Sequence, residues 1–390
     1  MPNVKQIDLY KVYMPPAVVS ELSPTLFSGY VAEGPQVKKF ENLLSKYFGN
    51  PNIILTNSCT SALHLSLMLS VKPHSKYIIT TPVTCVATNV SITNTGLTPI
   101  WADVDVLTGM LCRDTIEKTY NKLRKHEREQ IGAIIFVCWG GNTDNLIEVA
   151  EWASEHRIPL IVDAAQAFSA TAEGKSTAQI GDMTCLSFQA IKHLTTGDGG
   201  ALFIKDPQLL NRAANLKWFG ISRDSFRTAT GEINWKADIP EIGYKFNMND
   251  IAASIGIAQL QDPSLQTRLN SYKLNAQWYY DKFQESVGLD FVPAGNYKGS
   301  AAWVYTAVLP AVNVDKLIES LKSLNIISSR MHIRNDIYTG LRGYTPAPLY
   351  NTQIFNDKHI CIPCGWWVTE EDRDYIYNSV VACIRDLKNK

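Results

Sequence analysis

The sequence predicts an α/β fold with a mainly parallel central sheet and a smaller carboxyl-terminal α+β domain. Short apolar runs recur between helical patterns up to residue 204, and apolar residues make up 45% of the 390 residues, enough for a large core. That alternation then stops, and a helix-rich section leads into a strand and two helices, which is typical of a separate α+β unit. We therefore expect a large domain with an amino-terminal arm over residues 1–262 and a small domain over residues 263–390.

The elements follow from periodicity and from helix-boundary residues. Pro35 begins and Gly49 ends a predicted helix that carries one apolar face. Further helices are predicted over 249–260, 265–287, 314–324 and 369–387, and a strand of the small domain over 301–310. The predicted strands of the large sheet are 53–55, 77–80, 99–101, 133–138, 160–163, 183–188 and 201–204. Because helices separate these strands, the sheet should be largely parallel and covered on both faces.

Charge and composition exclude several classes of function. Lysine and arginine total 37 and aspartate and glutamate total 37, so the net charge is zero and no broad electrostatic attraction to nucleic acid or to an anionic membrane is expected. The amino terminus is not followed by a signal-type apolar block, and no run approaches the ~18 apolar residues of a membrane helix. We expect a soluble cytoplasmic protein without nucleic-acid or membrane partners.

The eight cysteines are scattered along the chain and are expected to be reduced. Cys361 and Cys364 have CxxC spacing, which could indicate redox chemistry or half of a zinc site. A second pair of metal ligands is missing from the sequence around them. We therefore predict no metal site.

Lys192 lies in the segment from Ser187 to Gly200, between two apolar runs. It is the fifth residue after Ser187, and the glycines that follow it let the backbone approach a ligand. This pattern is typical of a lysine that forms a Schiff base beside a phosphate site. The alternative is a surface lysine in a glycine-rich loop.

Asp163 directly follows the apolar run Pro159–Val162. That run predicts a buried parallel strand, so Asp163 would lie at its carboxyl end, where open α/β sheets bind ligands. A carboxylate there could keep a pyridine nitrogen protonated, which pyridoxal phosphate needs when it acts as an electron sink. The alternative is that Asp163 caps a following helix.

A third element is the turn Asn57-Ser58-Cys59-Thr60, which lies between a strand and an apolar helical pattern. The amides at the start of that helix would face a phosphate, and the hydroxyls of Ser58 and Thr60 would be further donors. Capping of the helix is the alternative role for these hydroxyls. The sequence contains neither a G-x-G-x-x-G motif nor a Walker P-loop, which argues against dinucleotide and NTP binding.

With a phosphate turn, Asp-x-x-Gln and Ser-x4-Lys in this order, the chain resembles the DegT/DnrJ/EryC1/StrS family of sugar aminotransferases, which have the type I fold of pyridoxal-phosphate-dependent aminotransferases. The resemblance runs almost from end to end. It continues in Ser28-Gly29, Gly34-Pro35, Phe40-Glu41, Trp101–Asp105, Gly243-Tyr244, Ile360–Pro363 and Thr369–Glu371.

The resemblance implies pyridoxal 5'-phosphate as cofactor and gives each motif a role. Lys192 would be the catalytic Schiff-base lysine, Asp163 would pair with the ring nitrogen, and Gln166 would lie near the phenolic oxygen. The amides of Cys59 and Thr60, with the Ser187 hydroxyl, would hold the phosphate. The family also implies a homodimer with shared active sites, in which the loop from Gly243 to Met248 reaches the partner's site.

The chain departs from the family pattern at two positions. Cys85 stands where relatives carry an aromatic residue that stacks on the cofactor ring, so stacking must come from elsewhere, and we predict Trp139 for it. Lys245 replaces a neutral residue in the partner loop and would be a charged donor to the phosphate, unless it is simply solvated.

His193 follows the catalytic lysine, and some relatives are dehydratases with histidine at the lysine position. Counting from Ser187 leaves Lys192 at that position, so we expect His193 to be a neighbour rather than a base.

The resemblance implies transfer of an amino group from an amino acid, expected to be glutamate, to a keto-sugar that is expected to be nucleotide-linked, for amino-sugar and surface polysaccharide biosynthesis. Lys192 would move the proton. Sugar recognition is predicted for His332, Arg334 and Asn335, with Arg334 gripping a diphosphate or a carboxylate or else pairing with Asp336. The alternatives are a pyridoxal-phosphate-dependent sugar dehydratase and a non-catalytic binding protein of the same fold.

Overall fold

The computed structural model describes residues 5–228, 230, 232–286 and 288–389. The helices are α1 (Ala17–Phe27), α2 (Pro35–Phe48), α3 (Cys59–Ser70), α4 (Val86–Asn94), α5 (Arg113–Lys122), α6 (Lys125–Glu129), α7 (Leu146–Glu155), α8 (Leu210–Leu216), α9 (Arg223–Phe226), α10 (Asp250–Gln261), α11 (Leu265–Glu285), α12 (Val314–Ser323), α13 (Tyr350–Lys358) and α14 (Glu370–Lys388). The strands are β1 (Ile53–Thr56), β2 (Tyr77–Thr80), β3 (Thr98–Trp101), β4 (Ile131–Val137), β5 (Leu160–Asp163), β6 (Thr171–Ala172), β7 (Lys175–Ser176), β8 (Met183–Ser187), β9 (Gly200–Ile204), β10 (Val292–Pro293), β11 (Tyr305–Val308) and β12 (His359–Ile362).

The large sheet has seven strands in the order β1-β9-β8-β5-β4-β2-β3. The strands from β8 to β3 run parallel to their neighbours, whereas β9 runs antiparallel to both β1 and β8. The predicted α/β class with a mainly parallel sheet is therefore confirmed. Asp163 and Ser187 end β5 and β8, so both lie at the edge where the parallel strands end.

Both faces of this sheet are buried, as the uninterrupted apolar runs predict. Successive residues of β4 point to opposite faces. Ile134 and Phe136 pack into a core with side chains of α2, α5, α7 and α10. Ile135 and Val137 pack into a second core with side chains of α3 and α8. Among the helices of the described ranges, none is both long and apolar enough to cross a membrane.

The carboxyl-terminal part contains a three-stranded antiparallel sheet in the order β10-β11-β12. It packs with α11, α12 and α14 around a core of its own, to which Ile7 from the amino-terminal segment also contributes. Helix α11 takes part in two cores: Leu265 and Leu269 pack with the large sheet, and Tyr272 begins the contacts with the small sheet. The domain boundary near residue 262 stays a prediction.

The predicted strand over 301–310 is shorter in the structure, where β11 begins at Tyr305. The residues before it bond to a turn of the large domain instead. The backbone N–H of Ala301 donates to the carbonyl of Gly141 at 2.9 Å, and that of Trp303 donates to the carbonyl of Gly140 at 2.8 Å. These two bonds place Trp303 at the end of β4.

Asp250 joins the start of α10 to the start of α2. Its Oδ1 accepts hydrogen bonds from the backbone N–H of Gly34 at 2.8 Å and of Val37 at 3.0 Å, and its Oδ2 accepts one from Gln36 at 3.2 Å. A Cβ at Gly34 would lie 2.7 Å from Oδ2, so only glycine allows this approach. The carboxylate satisfies amides that the helix leaves without partners and lies at the positive end of the α2 dipole.

We expect Asp250→Ala to lower the free energy of unfolding by about 2 kcal/mol, because three amides at the start of α2 lose a charged acceptor. Urea denaturation of the purified protein measures this loss. Asp281→Ala, at an exposed position of α11, is the matched control and should change stability by less than about 0.5 kcal/mol. Equal effects of the two substitutions would contradict the structural role of Asp250.

Candidate active site

A cavity of about 330 Å³ lies where the parallel strands end. Nine of the residues predicted for the site line it: Ser58, Cys59, Thr60, Cys85, Asp163, Gln166, Ser187, Lys192 and His332. These residues come from five separate segments of the chain, which meet because β1, β2, β5 and β8 all end at or near this edge. The structure therefore brings the three sequence motifs together in one cavity.

Lys192 lies in the loop between β8 and β9 with its side chain half-buried. Its Nζ is 3.8 Å from the centroid of the Trp303 ring. Burial lowers the pKa of Lys192 to about 8, although the nearby Cys59, Cys85 and Asp163 act in the opposite direction. A lowered pKa increases the neutral, nucleophilic fraction of the amine at neutral pH. The alternative of a solvated surface lysine does not fit this position.

Asp163 is the last residue of β5 and is buried. Its Oδ2 accepts a hydrogen bond from Thr88 Oγ1 at 2.7 Å, and its Oδ1 accepts one from the backbone N–H of Ala165 at 3.1 Å. Burial raises the pKa of Asp163, while these two bonds and the charge of Lys192 lower it. Turns follow β5 directly, so the helix-cap alternative for Asp163 is wrong.

Gln166 and His332 connect two walls of the cavity. The Oε1 of Gln166 accepts a hydrogen bond from the backbone N–H of Gly140 at 2.7 Å, and its Nε2 lies 3.2 Å from Nε2 of His332. Burial lowers the pKa of His332 to about 4, and the charge of Lys192 adds to this effect. The imidazole is therefore neutral near pH 7 and can accept a hydrogen bond from the Gln166 amide.

The phosphate turn leads into α3. Ser58 caps this helix, because its Oγ accepts a hydrogen bond from the backbone N–H of Ser61 at 3.1 Å. The capping alternative thus holds for the Ser58 hydroxyl, which also lines the cavity. A Cβ at Gly200 would lie 2.6 Å from the backbone nitrogen of Cys59, so a glycine in β9 allows the turn to approach the sheet. The helix amino terminus, with Cys59 and Thr60 as its first residues, opens onto the cavity.

Three predicted site residues lie away from the cavity wall. Lys245 is exposed, and its Nζ is 3.2 Å from the centroid of the Trp218 ring. Arg334 binds Asp336 through two hydrogen bonds, of 2.8 and 2.5 Å, so the structure shows the salt bridge that was its alternative role. Asn335 is buried and donates to the carbonyl of Thr84 at 3.0 Å. The cavity lining gives no support to substrate contacts from Arg334 and Asn335.

The prediction that Trp139 stacks on the cofactor ring is wrong. Trp139 is buried and packs edge-on against His332 and two other rings of the core, and it is not part of the cavity wall. The chain turns sharply after it, with φ angles of 62° and 89° at Gly140 and Gly141. A Cβ at Gly141 would lie 2.6 Å from the carbonyl oxygen of Gln166. This turn directs the indole into the core.

Sequence reasoning missed two residues of the site. Trp303 lines the cavity but is distant in sequence from every motif, so no local signal indicated it. Thr88 binds Asp163 and shares a 2.9 Å hydrogen bond with Thr84. Thr88 lies in the first turn of α4, three residues after Cys85. This spacing was an available signal, because residues three apart share a helix face.

His193 lies outside the cavity lining and is buried. Its Nε2 is 3.0 Å from the carbonyl oxygen of Ala301, and its ring packs against Tyr272. Burial lowers the pKa of His193 to about 3, so the ring is neutral at physiological pH. This environment agrees with its interpretation as a neighbour of Lys192 rather than a base.

The donor set of the cavity fits pyridoxal phosphate. Asp163 can bind a protonated ring nitrogen, Lys192 offers an amine of lowered pKa to the aldehyde, and the amino terminus of α3 suits the phosphate. Fold and cavity together define a pyridoxal-phosphate-dependent enzyme of the type I fold.

Comparison with known proteins identifies the family. Residues 16–381 match the model of the DegT/DnrJ/EryC1/StrS aminotransferase family, and the chain belongs to this family. It is 27% identical over 378 residues to UDP-4-amino-4,6-dideoxy-N-acetyl-beta-L-altrosamine transaminase of Campylobacter jejuni, covering 95% of each chain. The predicted family and the aminotransferase activity are confirmed.

Solved structures agree with this assignment. The sugar aminotransferase CalS13 from Micromonospora echinospora is similar with a TM-score of 0.84 and 30% identity, covering 96% of this chain and 99% of its own. The PLP form of Spr1654 from Streptococcus pneumoniae is similar with a TM-score of 0.82 and 26% identity, covering 98% of this chain and 99% of its own. The predicted type I fold and the cofactor, pyridoxal 5'-phosphate, are thereby confirmed.

We expect Thr88→Val to lower the free energy of unfolding of the cofactor-free protein by about 2 kcal/mol at pH 7, because the buried Asp163 carboxylate loses a hydroxyl donor. The loss should shrink as the pH falls, since a protonated carboxyl no longer needs that donor. Urea denaturation at several pH values measures both effects. Thr88→Ser keeps the hydroxyl and should lose only about 1 kcal/mol without the pH dependence. Identical pH profiles of the two variants would show that the hydrogen bond is unimportant.

Proposed function

We propose that this aminotransferase moves an amino group from glutamate to a nucleotide-linked keto-sugar in the biosynthesis of amino sugars for surface polysaccharides. The observation that carries the proposal is that Lys192, Asp163 and the amino terminus of α3 line one cavity. The Campylobacter relative is a transaminase of a UDP-linked amino sugar, which supports the substrate class.

When it is bound, pyridoxal phosphate supplies an aldehyde that takes up amino groups and a ring that accepts an electron pair. Asp163 holds a proton at the ring nitrogen, and Thr88 keeps the Asp163 carboxylate in place. Lys192 would hold the cofactor, and its amine would take a proton from the substrate carbon and return it on the acceptor side. A single amine of lowered pKa can perform both transfers.

The other predicted site residues orient the cofactor. The amides of Cys59 and Thr60 and the hydroxyls of Ser58 and Ser187 hold its phosphate. Gln166 would donate an N–H of its Nε2 to the phenolic oxygen, because its Oε1 already accepts a hydrogen bond from Gly140. Cys85 lines the cavity and would contact the cofactor ring through its polarisable sulfur, which is favourable against an aromatic face.

We assign substrate recognition to His332, because this side chain lines the cavity and forms a hydrogen bond with the Gln166 amide. A dehydratase that carries histidine in place of the lysine does not fit this chain, because His193 is buried outside the cavity lining.

The cysteines are free thiols in the structure, which supports a location in the reducing cytoplasm.

The proposal is tested by incubating the purified enzyme with glutamate and a panel of nucleotide-linked keto-sugars. We expect mass spectrometry to show one amino-sugar product, and Lys192→Ala to lower its rate of formation by about 10³-fold, because both proton transfers lose their base. Lys175→Ala, at an exposed position of β7, is the control and should keep wild-type activity. Release of a keto product without gain of an amine would favour the dehydratase alternative, and an undiminished rate in Lys192→Ala would refute the role of Lys192.

We further propose a homodimer in which the loop from residue 243 to 248 completes the cavity of the partner copy. Large apolar side chains are exposed near this loop and on the amino-terminal arm, with exposed fractions of 86% for Phe27, 84% for Trp235 and 78% for Ile242. Burial of such side chains against a second copy is favourable. Lys245 does not line the cavity of its own chain, which fits a contact made across the interface.

A complementation experiment tests this arrangement. Lys245→Ala should weaken cofactor binding about 10-fold through loss of a charged donor, and Lys192→Ala should be inactive. Because a mixed dimer of the two variants has one intact site, random co-assembly should restore about a quarter of wild-type activity at a cofactor concentration that leaves the Lys245→Ala site mostly empty. Each variant alone is the control. Absence of any recovery, in dimers verified by sedimentation, would mean that Lys245 does not serve the partner's site.

A further inference from the structure

Trp303 lies against the reactive amine of the cavity. The Nζ of Lys192 is 3.8 Å from the centroid of the Trp303 ring, and the indole, although only 2% exposed, is part of the cavity wall. Contact between an ammonium and the face of an indole is attractive, and tryptophan is the most effective aromatic residue for it. The ring is thus in direct contact with the atom that carries the proton in the proposed function.

The indole is held in this orientation by three elements. Its Nε1–H donates to the carbonyl of Ile191 at 3.0 Å, the residue immediately before Lys192. The backbone N–H of Trp303 donates to the carbonyl of Gly140. Tyr10 of the amino-terminal segment stacks on the ring, with centroids 4.7 Å apart and an interplanar angle of 23°. A ring fixed in this way can stabilise a charge without reorganising when the charge appears.

The charge on Lys192 changes during the reaction. When its amine takes a proton from the substrate carbon, the electron pair of the broken C–H bond passes to the cofactor ring and Nζ becomes an ammonium. Burial opposes that ammonium. The titratable groups that act on Lys192 in the structure are Cys59, Cys85, Asp163, His193 and His332. Asp163 is committed to the ring nitrogen and both histidines are neutral near pH 7, so the indole face adds a stabilisation that these three groups do not supply.

We propose that Trp303 is a further catalytic residue: its indole face stabilises the ammonium form of Lys192 each time this amine holds the transferred proton. The inference rests on the proposed function, in which Lys192 is the proton carrier. It assigns to this chain's own tryptophan an electrostatic role in the transfer, in addition to closing the cavity.

The test compares Trp303→Phe with Trp303→Leu. Both lack the indole N–H, so the difference between them isolates the ring face. The pKa of Lys192 in the cofactor-free protein is measured by trace acetylation with acetic anhydride over a range of pH, with mass spectrometry of the Lys192 peptide and the exposed Lys175 as internal reference. We expect the pKa of Lys192 to fall by about 1 from wild type to Trp303→Leu and by about half as much to Trp303→Phe.

The outcomes separate the inference from the proposed function. Borohydride reduction of the wild-type protein with pyridoxal phosphate should give a covalent adduct at Lys192, and absence of the adduct would overturn both. An adduct together with equal pKa values of Lys192 in the Phe and Leu variants would overturn the role of Trp303 alone. If a thermal scan shows that Trp303→Leu does not fold, the comparison is made between wild type and Trp303→Phe. An equal pKa of Lys192 in these two proteins would then overturn the inference.

Discussion

The buried carboxylate of Asp163 is the interaction on which the rest of the site depends. An ionised carboxylate at the end of a covered strand is costly unless hydrogen bonds and an opposite charge compensate for burial. Thr88 and the backbone of Ala165 supply the hydrogen bonds, and Lys192 lowers the pKa of Asp163 through its charge. The remaining acceptor capacity faces the cavity. A ligand that brings a protonated ring nitrogen therefore finds an acceptor that the fold has already oriented and desolvated.

The parallel sheet explains why distant motifs meet. Strands that run in one direction end at one edge of the sheet. The residues that follow β1, β5 and β8 are therefore neighbours in space although they are far apart in sequence. The apolar runs were sufficient to predict these strands, and the polar residues after them were sufficient to predict Lys192, Asp163 and the turn before α3. These features depend on local patterns, which a single sequence records directly.

Other features depend on contacts between distant parts of the chain, and the sequence did not predict them. The reversed direction of β9 is set by its pairing with both β1 and β8. Which tryptophan lines the cavity depends on the turn at Gly140 and Gly141. This turn directs Trp139 into the core and binds the backbone at Trp303. The pairing of Arg334 with Asp336 was one of two alternatives that charge alone could not separate.

The amino-terminal segment has a consequence for how the enzyme matures. Ile7 pairs with Ile326, Tyr10 stacks on Trp303, and the Trp367 indole donates to the carbonyl of Asp8, so each of these residues is held by a partner that lies far later in the chain. Contacts of such high sequence separation form late and slowly. The wall behind the lysine can therefore be complete only once synthesis has passed Trp303, which ties assembly of this wall to a late stage of folding.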